Sequence, residues 1–136
     1  MANKFVLHAD EVKPFGDGKT YDSRMILDNV LAGDETVQIN QGTVYPGCTA
    51  GGGTHENNEV YYIAAGAGTL MLDGETFPCR PGTLMFIPGG STHAVTNTSE
   101  TEPLILLTFW MKAEWNEMYV RRVEEWGTAF KRVDED

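Results

Sequence analysis

Gly68-Thr69-Leu70-Met71-Leu72-Asp73-Gly74-Glu75-Thr76-Phe77-Pro78-Cys79 carries the strongest fold signal in the chain. Two short apolar runs flank Asp73-Gly74, a pair suited to a tight type I′ turn because glycine takes positive φ at no steric cost. The reading is a β-hairpin with strands over 68–72 and 75–78. Outward from it the same pattern recurs. Short or alternating apolar runs, closed off by Gly, Pro, Asn and Asp, predict strands over Phe5–His8, Arg24–Leu27, Val37–Tyr45, Val60–Ala65, Leu84–Ile87, His93–Asn97 and Leu104–Phe109. Pro81-Gly82 and Pro88-Gly89-Gly90 mark further turns. So many short strands at close spacing indicate an all-β sandwich or barrel, not a parallel sheet.

The tail differs. From Ala113, the residues Trp115, Met118, Tyr119, Val123 and Trp126 recur at roughly helical spacing, and Gly127 is a natural stop. This predicts a C-terminal helix whose aromatic stripe packs on the outer barrel wall or on a partner subunit. The 136 residues form one domain, with N-terminal strands over 1–35, a core barrel over 36–110 and a helical tail over 113–136.

Composition narrows the function. Hydrophobic residues make up 41% and charged residues 22%, values of a globular chain with one core. Ten basic residues against twenty acidic ones argue against nucleic acid or an anionic membrane as partner. Between Met25 and Met111 nine acidic side chains stand against one basic side chain, Arg80, so a site there favours a cation or a neutral ligand. Cys48 and Cys79 are too few for a disulfide framework and form no C-x-x-C pattern; they read as reduced thiols. The N-terminal segment lacks the apolar core of a signal peptide, so the expected address is the cytoplasm.

His55, Glu59 and His93 carry the chemistry. His55 and Glu59 are four residues apart. On a flat strand that is about 13 Å, too far to share an ion, so the chain must bend between them, and Asn57-Asn58 suits a bend. His93 follows Pro88-Gly89-Gly90, a turn that could aim it at the same interior. Two histidines and a carboxylate with open positions suit iron, manganese, nickel or zinc.

Two motifs give these residues a family context. Gly47, then Gly53-Thr54-His55, Glu59 and Gly66 resembles the first cupin motif; Gly82, then Pro88-Gly89-Gly90, His93 and Asn97 resembles the second. The resemblance implies a cupin conserved β-barrel of about six to eight strands in jelly-roll order, often dimeric. It also implies a metal inside the barrel, held by His55, Glu59 and His93. The family's first motif-one histidine falls on Gly53, which cannot ligate. Either the site keeps three ligands and an open position, or its affinity has fallen. Cys48, Thr54, Gln38 and Asn40 are replacement candidates, and His8 is one if the N-terminal strand folds over the mouth.

Strand alternation from Glu59 turns Tyr61 and Ile63 inward and Val60, Tyr62 and Ala64 outward. Tyr61, its phenol pKa lowered by a nearby cation, could then act as acid or base with Glu59, or simply fill the barrel. Val95 is expected to line the cavity, and Met71, Met85 and Phe86 to be core. The expected function is a metal-dependent lyase or isomerase acting on a small oxygenated metabolite, a layout similar to small cupin lyases. A non-haem iron dioxygenase on the same site and a sugar-binding cupin without turnover are the alternatives. Only Arg80 and Arg24 are placed to reach a phosphate, which favours a neutral or singly charged ligand. Trp110, Trp115, Tyr119 and Trp126 offer an apolar surface for a homodimer.

Overall fold

The computed structural model describes residues 6–27, 37–110, 117–128 and 131–134, with the backbone alone at 117–119. Ten strands lie among the described residues, in chain order: β1 (Phe15–Gly16), β2 (Tyr21–Leu27), β3 (Gln38–Val44), β4 (Thr49–Gly51), β5 (Glu59–Ala65), β6 (Gly68–Leu72), β7 (Glu75–Cys79), β8 (Leu84–Ile87), β9 (His93–Asn97) and β10 (Leu104–Trp110). A single helix, α1 (Glu117–Trp126), comes last among the described residues. The strands form two antiparallel sheets, a six-stranded one ordered β1-β2-β3-β10-β5-β8 and a four-stranded one ordered β4-β9-β6-β7. This is the all-β jelly-roll architecture expected from the sequence.

Period-two burial builds the interior. Along β3, β5 and β10 the residues Val44, Ile63, Leu104 and Leu106 face inward, where they meet Leu70 and Val95 of the smaller sheet. Each buried side chain of this kind contributes about 1.5–3 kcal/mol relative to exposure. The Asp73-Gly74 turn forms as expected, with φ of 49° and 85°. The same alternation explains two departures. On β8, Met85 and Ile87 point in while Phe86 points out and is half exposed, so Phe86 is not core. Met71 is only half buried, its sulfur lying 3.4 Å from the Gly74 amide at the hairpin end.

Other departures lie at the ends. Val6–His8 is not a strand, and Phe5 lies outside the described residues. His8 instead caps a single 3-10 turn over Ala9–Glu11, its Nδ1 accepting the Asp10 amide at 3.1 Å. The two- and three-residue strands β1 and β4 are too short to show a period in the sequence. Helix α1 ends where Gly127 takes φ 78° and donates to Val123 O at 2.8 Å. Its start at Ala113 and the side chains of Trp115, Met118 and Tyr119 fall outside the described residues.

The helix does not pack on the outer wall. Val123 packs on Met25, Trp126 meets Phe15 edge-on at 5.3 Å, and Arg122 reaches Ser23 and Asn40. Met25, Ser23 and Asn40 are buried residues of the inner faces of β2 and β3. Helix α1 therefore covers inner-face residues of the larger sheet.

Candidate metal centre

His55 lies in the loop between β4 and β5, and Glu59 opens β5. The chain bends between the two residues as their spacing required, at Glu56-Asn57, one residue before the Asn57-Asn58 expected. The turn carrying Pro88-Gly89-Gly90 packs directly on that bend. Gly90 N donates to His55 O at 2.8 Å, and Gly89 N donates to Asn58 Oδ1 at 2.9 Å. A Cβ at Gly89 would lie 2.0 Å from Glu56 O, so only glycine allows the approach. His93 then starts β9 with its ring turned inward, buried like Glu59.

The three side chains converge. His55 Nε2 stands 3.0 Å from Glu59 Oε1 and 3.1 Å from His93 Nε2, and His93 Nε2 stands 3.3 Å from Glu59 Oε1. Three donors about 2.1 Å from one ion, at angles of about 90–110°, are spaced about 3.0–3.4 Å apart. The triangle has that size.

Its proton count also fits a cation. His55 Nδ1 faces Asn57 O at 2.8 Å, and His93 Nδ1 faces Ser91 O at 3.1 Å. A carbonyl oxygen only accepts, so each Nδ1 carries a hydrogen, which leaves each inward Nε2 as the nitrogen that would ligate an ion. Two imidazole nitrogens and a carboxylate oxygen then meet within 3.3 Å. Three acceptors at this spacing need a cation among them, and a proton or a metal ion fills that role. The donor set fits a divalent ion.

None of the expected substitutes for a fourth ligand joins the triangle; the only cluster of metal-binding side chains among the described residues is His55, Glu59 and His93. Cys48 Sγ lies 3.6 Å from Lys19 O and from Pro46 O, and Cys79 is a second free, buried thiol whose pKa burial pushes up. Gln38 directs its amide nitrogen to Met25 Sδ at 3.7 Å, and Asn40 Oδ1 accepts from Ser23 Oγ at 3.2 Å. His8 is exposed at its 3-10 turn. Thr54 lines the cavity beside Gly53. A Cβ at Gly53 would meet nothing within 4 Å, so the position of the missing histidine is open space.

The cavity around the triad measures about 470 Å³. Tyr61 lines it as alternation predicted, its ring 5.6 Å from that of His93, and Val95 lines the opposite sheet. Burial, then the Glu59 charge, push the Tyr61 phenol well above its ordinary pKa in the metal-free protein, not below it. Tyr21, at the far wall, is pushed up to about 12, again chiefly by burial with Glu59 adding.

Several residues of the cavity went unforeseen, Trp110 and Arg122 chief among them. Trp110 is buried with its ring centroid 4.3 Å from that of His55, so it belongs to the cavity and not to a dimer surface. The inward series Leu104, Leu106, Thr108, Trp110 on β10 carries that signal in period two. Arg122 is the other. It is 2% exposed, lines the cavity, and donates from Nη2 to Ser23 Oγ at 2.7 Å. Burial pulls its guanidinium down to about 10, which leaves it cationic at neutral pH. The two arginines expected to reach the site do not line it: Arg80 is exposed in the β7–β8 turn, and Arg24 donates to Ala9 O and Val12 O.

Residues 40–110 match the cupin domain family, over more than half of the sequence and including both turns and all three converging side chains. The chain belongs to the cupin family. Similar solved structures include a predicted oxalate decarboxylase from Thermotoga maritima, 23% identical at TM-score 0.70, with 79% of this cupin and 98% of that chain covered. An RmlC-like cupin from Shewanella frigidimarina is 14% identical at TM-score 0.68, covering 80% and 91%. The polyketide cyclase RemF from Streptomyces resistomycificus is 22% identical at TM-score 0.67, covering 81% and 79%. At these identities the likeness is one of fold. No curated protein matches this cupin in sequence. No helix among its described residues is long and apolar enough to cross a membrane.

Proposed function

We propose that this cupin is a metal-dependent enzyme of lyase or isomerase type acting on a small oxygenated substrate. The observation that carries the reading is the triangle of His55 Nε2, His93 Nε2 and Glu59 Oε1, three acceptors locked face to face by the carbonyls of Asn57 and Ser91. A divalent ion held there would supply Lewis acidity and lower the pKa of a proton next to a substrate carbonyl. Gly53 leaves space beside the triad for that substrate. Tyr61, neutral and buried next to His93, holds a proton it can deliver to a developing oxyanion or carbanion. Trp110 packs its ring against His55 and walls that side of the cavity. The fold hosts many chemistries and selects none, so the assignment rests on the site.

The test is solvent exchange. Protein loaded in turn with iron, manganese, nickel or zinc is incubated in D₂O with a panel of small hydroxy and keto compounds, and C–H exchange is followed by NMR. Exchange by the wild type, lowered about 10²–10⁴-fold in Tyr61→Phe at unchanged metal content, supports the reading. The two-histidine, one-carboxylate donor set also favours a second reading, a non-haem iron dioxygenase. Substrate-dependent oxygen uptake by the iron form without exchange would select it. Neither exchange nor uptake with any metal would leave a ligand-binding cupin.

A further inference from the structure

We infer that Arg122 forms a carboxylate-binding subsite, so that the ligand of this cupin carries a carboxylate at the end of the cavity remote from His55, Glu59 and His93. The inference deepens the proposed function and rests on its cavity, but the subsite itself stands on the guanidinium.

Arg122 enters the barrel from α1 and is 2% exposed. A charged group taken out of water costs several kcal/mol unless an opposite charge faces it. None does: Arg122 forms no ion pair among the described residues. Its contacts are neutral oxygens, Ser23 Oγ at 2.7 Å, Ser23 O at 3.4 Å and Asn40 Oδ1 at 3.4 Å, all from Nη2. The donors on Nη1 and Nε meet no acceptor among the described residues. The ring of Phe15, 5.6 Å from the guanidinium carbon, backs the group, and the group lines the cavity. Ser23 and Asn40 orient the fork and leave most of it to a ligand.

Register places the subsite. Asn40 pairs with Thr108, and Thr108 pairs with Tyr61, so Arg122 sits beside a strand two removed from β5. At about 4.8 Å per strand the two ends are roughly 10 Å apart at the backbone. One cavity thus has a carboxylate-bearing triad at one end and, at the other, a cation with no ion pair among the described residues. Besides the two histidines, Arg122 is the one basic residue among the described residues that line it. A single guanidinium with its Nη1 and Nε hydrogens left to donate matches a monoanion, whereas a phosphate dianion recruits several cations. The chemistry selects a carboxylate.

The experiment uses the full chain stripped of metal with a chelator, so a failure of metal binding leaves its result standing. Butyrate, its amide butyramide and inorganic phosphate are titrated, read by calorimetry and by intrinsic tryptophan fluorescence. The expected result is butyrate binding about tenfold or more tighter than butyramide, a preference abolished in Arg122→Gln and partly kept in Arg122→Lys. Should Arg122→Gln fail to fold, the acid–amide comparison in the wild type decides alone. Equal affinity for butyrate and butyramide, or an unchanged preference in folded Arg122→Gln, overturns the subsite and makes Arg122 a strut for α1. Phosphate binding tighter than butyrate overturns the ligand class.

Discussion

Asn57 O and Ser91 O each hold a histidine by its Nδ1, at 2.8 and 3.1 Å, and so decide which nitrogen His55 and His93 turn inward. Because these acceptors belong to the backbone, the ligand tautomers follow from the loop conformation. Gly53 is the residue on which the strength of the site turns. Its Cβ position is empty to 4 Å and its φ is not in the left-handed region, so a side chain fits there without strain. Gly53→His is expected to fold and to raise metal affinity roughly tenfold or more, read by competition with a chelator, while taking up the open position. Unchanged affinity would mean that the ring does not reach the triad. The triad was legible because glycine, proline, histidine and glutamate stand at fixed spacings in two short stretches. Arg122 was not. It lies among Arg121, Glu124 and Glu125, charges that read as a solvated helix face, and only the docking of α1 shows that this one points in.

At the scale of elements, the register of β5 against β10 and β8 places Glu59 beside Trp110 on one side and Ile87 on the other. Alternation within β5 could be read from its own residues. The inward side of β10 was just as visible, yet tryptophan as a surface aromatic outweighed the period and misplaced Trp110. The helix is a different case, since its period gives a face but not the partner of that face. Phe15 on β1 supplies much of that partner, touching Trp126 edge-on and lying under Arg121 and Arg122 at 5.3 and 5.6 Å. Phe15→Ala is expected to cost about 3 kcal/mol in urea denaturation and to reduce the helical signal in far-UV circular dichroism. Metal content should stay as in the wild type, because Phe15 touches none of the triad. Loss of metal in that variant would show that α1 shapes the triad as well as the far wall.

For the whole molecule, twenty acidic residues against ten basic ones surround the barrel with a field that draws cations towards it. Stability at alkaline pH follows from the interior. Tyr21 titrates near 10 when unfolded and at about 12 in the fold, where burial first and the Glu59 charge second disfavour the phenolate. A raised pKa contributes stability that is complete below the unfolded value and lost as pH climbs through the folded one. The Tyr21 contribution to unfolding free energy is therefore expected to fall between pH 10 and 12, against the rise that the lowered Arg122 pKa contributes there, so Tyr21→Phe shifts the slope in the positive direction. An unchanged slope would place the alkaline transition elsewhere. The outer face of β5 and β8 exposes Tyr62, Leu84 and Phe86, whereas Trp110 and Trp126 are engaged inside the chain.

The measurement that bears most directly on the account is metal content by elemental mass spectrometry, on protein purified without an affinity tag, beside His93→Ala. The two inward imidazole nitrogens and the Glu59 carboxylate predict close to one divalent ion per chain in the native protein and its loss in the variant. A native protein that takes up no metal after dialysis against iron, manganese, nickel and zinc would contradict the central claim.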